Sequence, residues 1–330
     1  MKCKSYAKNY WFLIELVVTC LAKVLLMPTR REFLSTTALT TTATMLNFME
    51  SFAQPLFADQ TPGFSTIIMA TNWGFDGNFE AFAAKAKAAG YDGVEVWLPG
   101  DDKSRAEFLS AVQKHNLKYA FLCGGGDADP TKHFAQFQEG FKVALAMKPL
   151  YFNCHSGRDY FDFNTNKKFI DWSYQESKGS GIPIYHETHR GRILYSAPTT
   201  KSFIDATPEL KLTLDISHWC AVHESLLSDQ PENIAAALNR TEHIHARIGH
   251  PEGPQVNDPR APEWEGAVKA HFAWWDKIVE RKRVEGKPIA FLTEFGPVDY
   301  MPALPYTRQP VANQWEINVY MKDVLKKRYA

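Results

Sequence analysis

Leu212-Thr213-Leu214-Asp215 is a short apolar and β-branched run that stops at a carboxylate, with His218 three residues further on. Two other runs share this form, Ile184-Tyr185-His186-Glu187 before it and Ile289-Ala290-Phe291-Leu292-Thr293-Glu294 after it, and His243-Ile244-His245 ends at an imidazole instead. Apolar runs of this length read as buried strands, and the longer stretches between them carry helical periodicity. That alternation favours parallel strands joined by crossover helices.

Working outward, four more such runs precede these: Ser65 to Ala70, Gly93 to Leu98, Lys118 to Cys123 and Tyr151 to Cys154. Helical stretches follow at Asn78 to Ala89, Lys103 to His115, Thr131 to Met147, Asn166 to Lys178, Thr199 to Asp205, Glu232 to Leu238 and Ala267 to Glu285. Eight strands alternating with helices in about 270 residues fit a (β/α)8 TIM barrel, which takes roughly 250. An open doubly wound sheet would show a glycine-rich phosphate turn after its first strand, and Thr71-Asn72-Trp73-Gly74-Phe75 is not one. Gly124-Gly125-Gly126 reads as a close approach of chains. The expected fold is a single α/β TIM barrel.

Hydrophobic residues make up 45% of the 330 and charged residues 22%, which excludes a disordered chain. Lys+Arg and Asp+Glu are both 37. A balanced chain shows no basic face for releasing polyphosphate counterions, so nucleic acid is not an expected partner. The cysteines Cys3, Cys20, Cys123, Cys154 and Cys220 have no CxxC spacing, which argues against a disulfide framework or a zinc ribbon. Cys123 and Cys154 read as small buried apolar residues.

Barrel chemistry sits at the C-terminal ends of the strands, so Glu187, Asp215, His245 and Glu294 are expected to converge on one point. Three carboxylates and an imidazole repel one another when crowded, unless a divalent cation turns the repulsion into binding. An oxygen and nitrogen donor set without thiolate suits one Mn²⁺, Mg²⁺ or Co²⁺ ion, with Zn²⁺ or Fe²⁺ also compatible.

The order Glu, Asp-x-x-His, His, Glu on strands five to eight resembles the xylose isomerase-like TIM barrel superfamily, in particular its sugar phosphate isomerase/epimerase branch. Ketose 3-epimerases, inosose dehydratases and endonuclease IV are relatives. The resemblance runs from about Phe64 to Tyr329. It implies that Glu187, Asp215, His245 and Glu294 are metal ligands, that Glu187 and Glu294 move protons, and that His218 touches the substrate. It further implies a divalent-metal-dependent sugar isomerase or epimerase that abstracts a proton beside a carbonyl and passes through an enediolate. Two positions depart from the related epimerases. Ile193 stands six residues after Glu187 where they have a carboxylate, and Pro251 stands six after His245 where they have an arginine.

Other polar groups fill in around these ligands. His155 and His189 are the acid/base candidates, and Arg192, Arg247 and His250 are candidate substrate contacts. Trp97 and Trp219 lie near strand ends and are candidate floors for a sugar ring. Alternation along the strand turns His186 away from the side that Glu187 faces. The segment Gly249 to Pro262 reads as an active-site loop. This set keeps a second reaction open, β-elimination of 3-keto-glycosides with His155 or His189 protonating the leaving group. Endonuclease IV-like hydrolysis fits less well, because Asp258-Pro259-Arg260 has no histidine in third place. A barrel that only binds sugar is the remaining alternative.

At the other end of the chain, Thr29-Arg30-Arg31-Glu32-Phe33-Leu34 and the Thr-rich stretch after it resemble a twin-arginine export signal. Residues 1–53 are read as an N-terminal extension with signal, cleaved near Ala53, and residues 54–330 as the barrel. Met27 offers a second start. Tyr10 to Leu26 is apolar but broken by Glu15 and Lys23, short of a membrane span. Removing residues 1–53 takes away six basic and three acidic residues and leaves a mild acidic excess. Export implies a periplasmic protein that meets the membrane only in transit, acting on a small free sugar or glycoside rather than a sugar phosphate.

Overall fold

The computed structural model describes residues 48–58 and 60–329. The Arg30-Arg31 motif and the alternative start lie outside them. Eight parallel strands run in sequence order: β1 (Thr66–Thr71), β2 (Gly93–Trp97), β3 (Lys118–Gly124), β4 (Phe152–His155), β5 (Ile184–Glu187), β6 (Leu212–Leu214), β7 (Thr241–His245) and β8 (Ile289–Thr293). The sheet closes where β8 pairs with β1, in a register from Thr66 opposite Ile289 to Ala70 opposite Thr293. The chain is therefore the expected (β/α)8 barrel, and closure removes both sheet edges.

The helices are α1 (Phe79–Ala88), α2 (Asp102–Lys114), α3 (Pro130–Ala146), α4 (Phe163–Ser180), α5 (Ala197–Ala206), α6 (Ile216–Val222), α7 (Pro231–Leu238), α8 (Glu265–Val284) and α9 (Gln314–Tyr329). Several begin on a side chain that accepts from an otherwise unpaired amide two or three residues into the first turn: Asn78, Asp101, Asp129, Asp162 and Ser196. Each such cap stabilises its helix by roughly 1 kcal/mol. Inside the barrel, Ile67, Met69, Ala120, Ala290, Leu292 and Tyr151 pack together. Gly93 opens β2 where a Cβ would lie 2.5 Å from the Lys118 carbonyl oxygen and 2.7 Å from Met69 Sδ, so no other residue fits there.

Two helices lie outside the expected set. Helix α6 starts directly after β6 because Asp215 caps it, accepting from the Ser217 amide. Helix α9 buries Ile317, Met321 and Leu325, an i, i+4, i+8 stripe set within a charged background. The segment Gly249 to Pro262 follows β7 and is packed in place: Gln255 and Val256 are buried, and Gln255 exchanges two hydrogen bonds with the Gly296 backbone.

A helical turn at 49–52 belongs to the folded body as well. Met49 is buried, Phe52 stacks on Phe272 of α8 at 4.5 Å, and the Leu56 amide donates to the Arg328 carbonyl. Among the described residues no helix is long and apolar enough to cross a membrane.

Candidate active site

A cavity of about 140 Å³ opens at the C-terminal ends of the strands. Trp73, Trp97 and Tyr300 form aromatic walls, and His155, His189, Arg247, Glu95 and Glu294 present polar groups to it. A larger cavity of about 560 Å³, lined by Lys211, Glu242 and Lys287, lies where strands begin, the end of a barrel that serves stability.

Beside the smaller cavity, one donor atom from each of Glu187, Asp215, His245 and Glu294 lies within 4.8 Å of the others. Successive strands deliver them: β5 ends at Glu187, β6 runs into Asp215, β7 ends at His245, and Glu294 follows β8 directly. His245 is fixed from both sides, with Nδ1 2.9 Å from Glu294 Oε2 and Nε2 3.1 Å from Glu95 Oε1. Tyr151 Oη donates to Glu95 Oε2 over 2.8 Å, and His243 Nε2 lies 2.8 Å from the same oxygen. The Asn153 amide joins two carboxylates, donating to Glu95 Oε1 at 3.1 Å and to Glu187 Oε2 at 2.6 Å.

A row of imidazoles continues from this centre. His155 Nε2 donates to Glu187 Oε2 over 3.0 Å. Its ring lies 4.4 Å from that of His189, which lies 3.9 Å from that of His218. Trp97 meets His155 edge-on at 5.3 Å. His189 Nδ1 donates to the Arg190 carbonyl, so its Nε2 keeps the free lone pair. Burial pushes the pKa of His189 and of His218 well down, which keeps both neutral.

Charge in the cluster is only partly balanced from within. Arg247 donates from Nη2 to Asp215 Oδ2, from Nε to Ser217 Oγ at 3.2 Å, and reaches to 3.5 Å from Glu294 Oε2. Burial pushes the Asp215 carboxyl up to about 7 against the pull of Arg247. Burial alone would push His245 down, yet Glu294, Glu187 and Glu95 together hold it well above the usual imidazole range. That surplus of negative field suits a divalent cation. The donors suit one too, being oxygen and nitrogen, while the thiols of Cys123 and Cys154 are pushed up by burial. Glu95 supplies the carboxylate behind the histidine that metal-binding imidazoles commonly have. Two further groupings, Glu95 with His243 and His245, and His155 with Glu187 and His189, share members with the first.

Most residues singled out in the sequence meet here: Glu187, Asp215, His245, Glu294, His155, His189, His218, Arg247 and Trp97. Others do not. His250 packs on Trp264 at 4.7 Å and does not line the cavity. Trp219 is fully buried with its indole N–H on the Leu194 carbonyl, so it floors no ligand. Arg192 stands at the rim, bonded to the Gly125 carbonyl. His186 is held between Ser156 and Ser173, away from the cluster. Sequence reading missed Glu95, Asn153, Tyr151, His243, Trp73 and Tyr300. Glu95 did leave a signal, a single charge inside the buried run Gly93-Val94-Glu95-Val96.

No curated protein matches the chain. Among solved structures it is similar to D-allulose 3-epimerase from Methylomonas sp., with 15% identity, a TM-score of 0.53 and coverage of 82% of this chain and 100% of that one. It is similar to 3-keto-D-glucoside 4-epimerase from E. coli at 13% identity and a TM-score of 0.51, covering 79% and 99%. A xylose isomerase-like TIM barrel protein from Mycobacterium smegmatis in complex with magnesium matches at 13% and 0.51, covering 80% and 98%. These likenesses show the shared barrel. A family model described as the xylose isomerase-like TIM barrel matches residues 83–286, well over half of the chain, and with the closed barrel and the cluster at its strand ends the chain belongs to that family.

Proposed function

We propose that this chain is a divalent-metal-dependent sugar isomerase or epimerase. The observation that carries the reading is the convergence of Glu187, Asp215, His245 and Glu294 beside an aromatic-walled cavity of about 140 Å³, the size of a small sugar. Those four residues would hold the ion, which when bound would polarise a carbonyl and its neighbouring hydroxyl. Glu294 presents its carboxylate to the cavity and is the group placed to take a proton from the carbon next to that carbonyl. Glu187, steadied by Asn153 and His155, is the second carboxylate for returning it. Return to the opposite face of the same carbon gives an epimer, and return to the neighbouring carbon gives the isomer. Trp73, Trp97 and Tyr300 offer apolar faces to the ring and exclude water around it.

His155 favours a second reading. Its ring lines the cavity beside Glu187, and this position would let it pass a proton to a leaving oxygen in β-elimination from a 3-keto-glycoside. The E. coli structure bears the name of a 3-keto-glucoside 4-epimerase, which supports that substrate class but names the first reaction. Endonuclease-like hydrolysis has less support, because Arg260 occupies both Asp258 carboxylate oxygens within the packed segment. The Arg30-Arg31-Glu32-Phe33-Leu34 stretch supports export as part of the same proposal.

Product analysis by NMR tests the reading, with the Mn²⁺-loaded chain incubated with ketoses and 3-keto-glucosides. An epimer or aldose supports the first reaction and a released aglycone the second. Unchanged substrates throughout, with metal bound, would contradict both.

A further inference from the structure

Beside the cavity, three arginines leave the turns after β4 and β5. The turn after β5 runs Thr188-His189-Arg190-Gly191-Arg192, closed by the Arg192 amide donating to the His189 carbonyl, with Gly191 at φ +73°. It lays the Arg190 guanidinium over the Tyr300 ring at 5.0 Å and sends that of Arg192 to the Gly125 carbonyl at 3.2 Å. From the turn after β4, Arg158 reaches the adjacent Gly126 carbonyl at 3.3 Å. This glycine segment borders the cavity, since a Cβ on Gly124 would lie 3.2 Å from the His155 side chain and 3.5 Å from Trp97.

Arg105, Arg247, Arg260, Arg281, Arg308 and Arg328 each pair with a carboxylate. Among the described residues, Arg158, Arg190 and Arg192 have none within ion-pair distance. Arg158 Nε is in addition buried with no hydrogen-bond partner. Two guanidiniums on neighbouring carbonyls repel each other, and a buried donor left unpaired costs about 1–3 kcal/mol. An anion between them relieves both penalties, and the planar guanidinium fork matches carboxylate and phosphate oxygens.

We infer that Arg158 and Arg192 bind an anionic group of the substrate, a carboxylate or a phosphate monoester, while its carbonyl end lies at the Glu187, Asp215, His245 and Glu294 cluster. The inference rests on reading that cluster as the reaction centre. Arg192 belongs to the same turn as His189, which lines the cavity, and rests on Gly125, next to the Gly124 that borders His155 and Trp97, so one sugar can span both. The substrate is then a keto sugar acid or a keto sugar phosphate, and the export proposed above agrees with the acid.

The matched ligands D-fructose, D-fructuronate and D-fructose 6-phosphate test this by isothermal titration into the full Mn²⁺-loaded chain. At least one anion is expected to bind about tenfold or more tightly than D-fructose, in line with charge-assisted hydrogen bonds. The Arg158→Met/Arg192→Met double variant should lose that advantage. Arg240→Met should keep it, since Arg240 sits on the Pro208 carbonyl at the start of β7. Preference for D-fructuronate assigns a carboxylate, and preference for D-fructose 6-phosphate assigns a phosphate. Equal affinity for all three, no binding by either anion, or an advantage that survives in the double variant would overturn the inference. An anion preference in a chain that catalyses no proton exchange would leave this site standing and remove the reaction assigned to the cluster, so the two failures are distinguishable.

Discussion

Glu95 Oε1 lies 3.1 Å from His245 Nε2, which turns the other ring nitrogen of His245 towards Glu294 at 2.9 Å. A carboxylate behind a ligating histidine fixes the ring's tautomer and raises its basicity. Glu95 is itself held ionised: burial opposes the charge, and His243 and His245 outweigh burial.

Replacing Glu95 by Gln removes that support without emptying the space. The Glu95→Gln variant is expected to bind Mn²⁺ about 10–100-fold more weakly, the usual effect of losing such a partner. Calorimetric titration of the metal measures it, and unchanged affinity would contradict the role given to Glu95.

Arg247 is the resident cation on Asp215 and Glu294. Breaking a buried pair from one side costs about 3–5 kcal/mol, so Arg247→Met should be destabilised on that scale without metal. Added Mn²⁺ should then raise its melting temperature more than it raises that of the wild type, because the ion takes over the neutralisation. Equal shifts in the two proteins would count against a shared site.

Stability should also fall in mild acid. His271 is buried, with Nδ1 donating to the Ala267 carbonyl and Nε2 accepting from the Gly249 amide, so only the neutral ring fits. Burial pushes its pKa down to about 4. A depressed histidine gives stability that is whole above the unfolded value near 6.5 and is lost as pH falls towards 4, about 3 kcal/mol by that point. Urea melts at pH 7, 6 and 5 should show the decline, and His271→Gln should flatten it while starting lower. An equally steep decline in the variant would assign the acid sensitivity elsewhere.

The turn at 49–52 gives a prediction about truncation. A chain beginning at Gln54 lacks buried Met49 and the Phe52 stack on Phe272. It should be less stable than one beginning at Leu46 by about 3 kcal/mol, the scale of losing large apolar side chains from a core. Denaturant melts of the two chains measure the difference, and equal midpoints would show that the turn adds nothing.

Much of this was legible in the sequence because the barrel writes its chemistry at strand ends. Glu187, Asp215 and Glu294 each stop an apolar run, and period-2 alternation correctly turned His186 outward. Residues that act from within strands were hidden by the same reasoning. Glu95 and Asn153 look like interruptions of buried runs until closure brings Glu95 of β2 to Asn153 of β4 and His245 of β7 across the interior, and Asn153 to Glu187 on the neighbouring β5. Trp73 and Tyr300 come from loops whose paths no periodicity predicts. The Pro, Gly and Asp content of Gly249 to Pro262 marks irregular backbone, but composition does not show the hydrogen bonds of Gln255 to Gly296 and of Trp264 to Asn257 that hold it.

The most direct measurement of the central claim is solvent-deuterium wash-in at the carbon beside the carbonyl of a bound keto sugar, followed by NMR in the Mn²⁺-loaded wild type and in Glu294→Gln. The account predicts incorporation by the wild type and a loss of at least about a hundredfold in the variant, the scale of removing a positioned general base. Equal incorporation by the two proteins, or none by a metal-loaded wild type that binds the sugar, would contradict it.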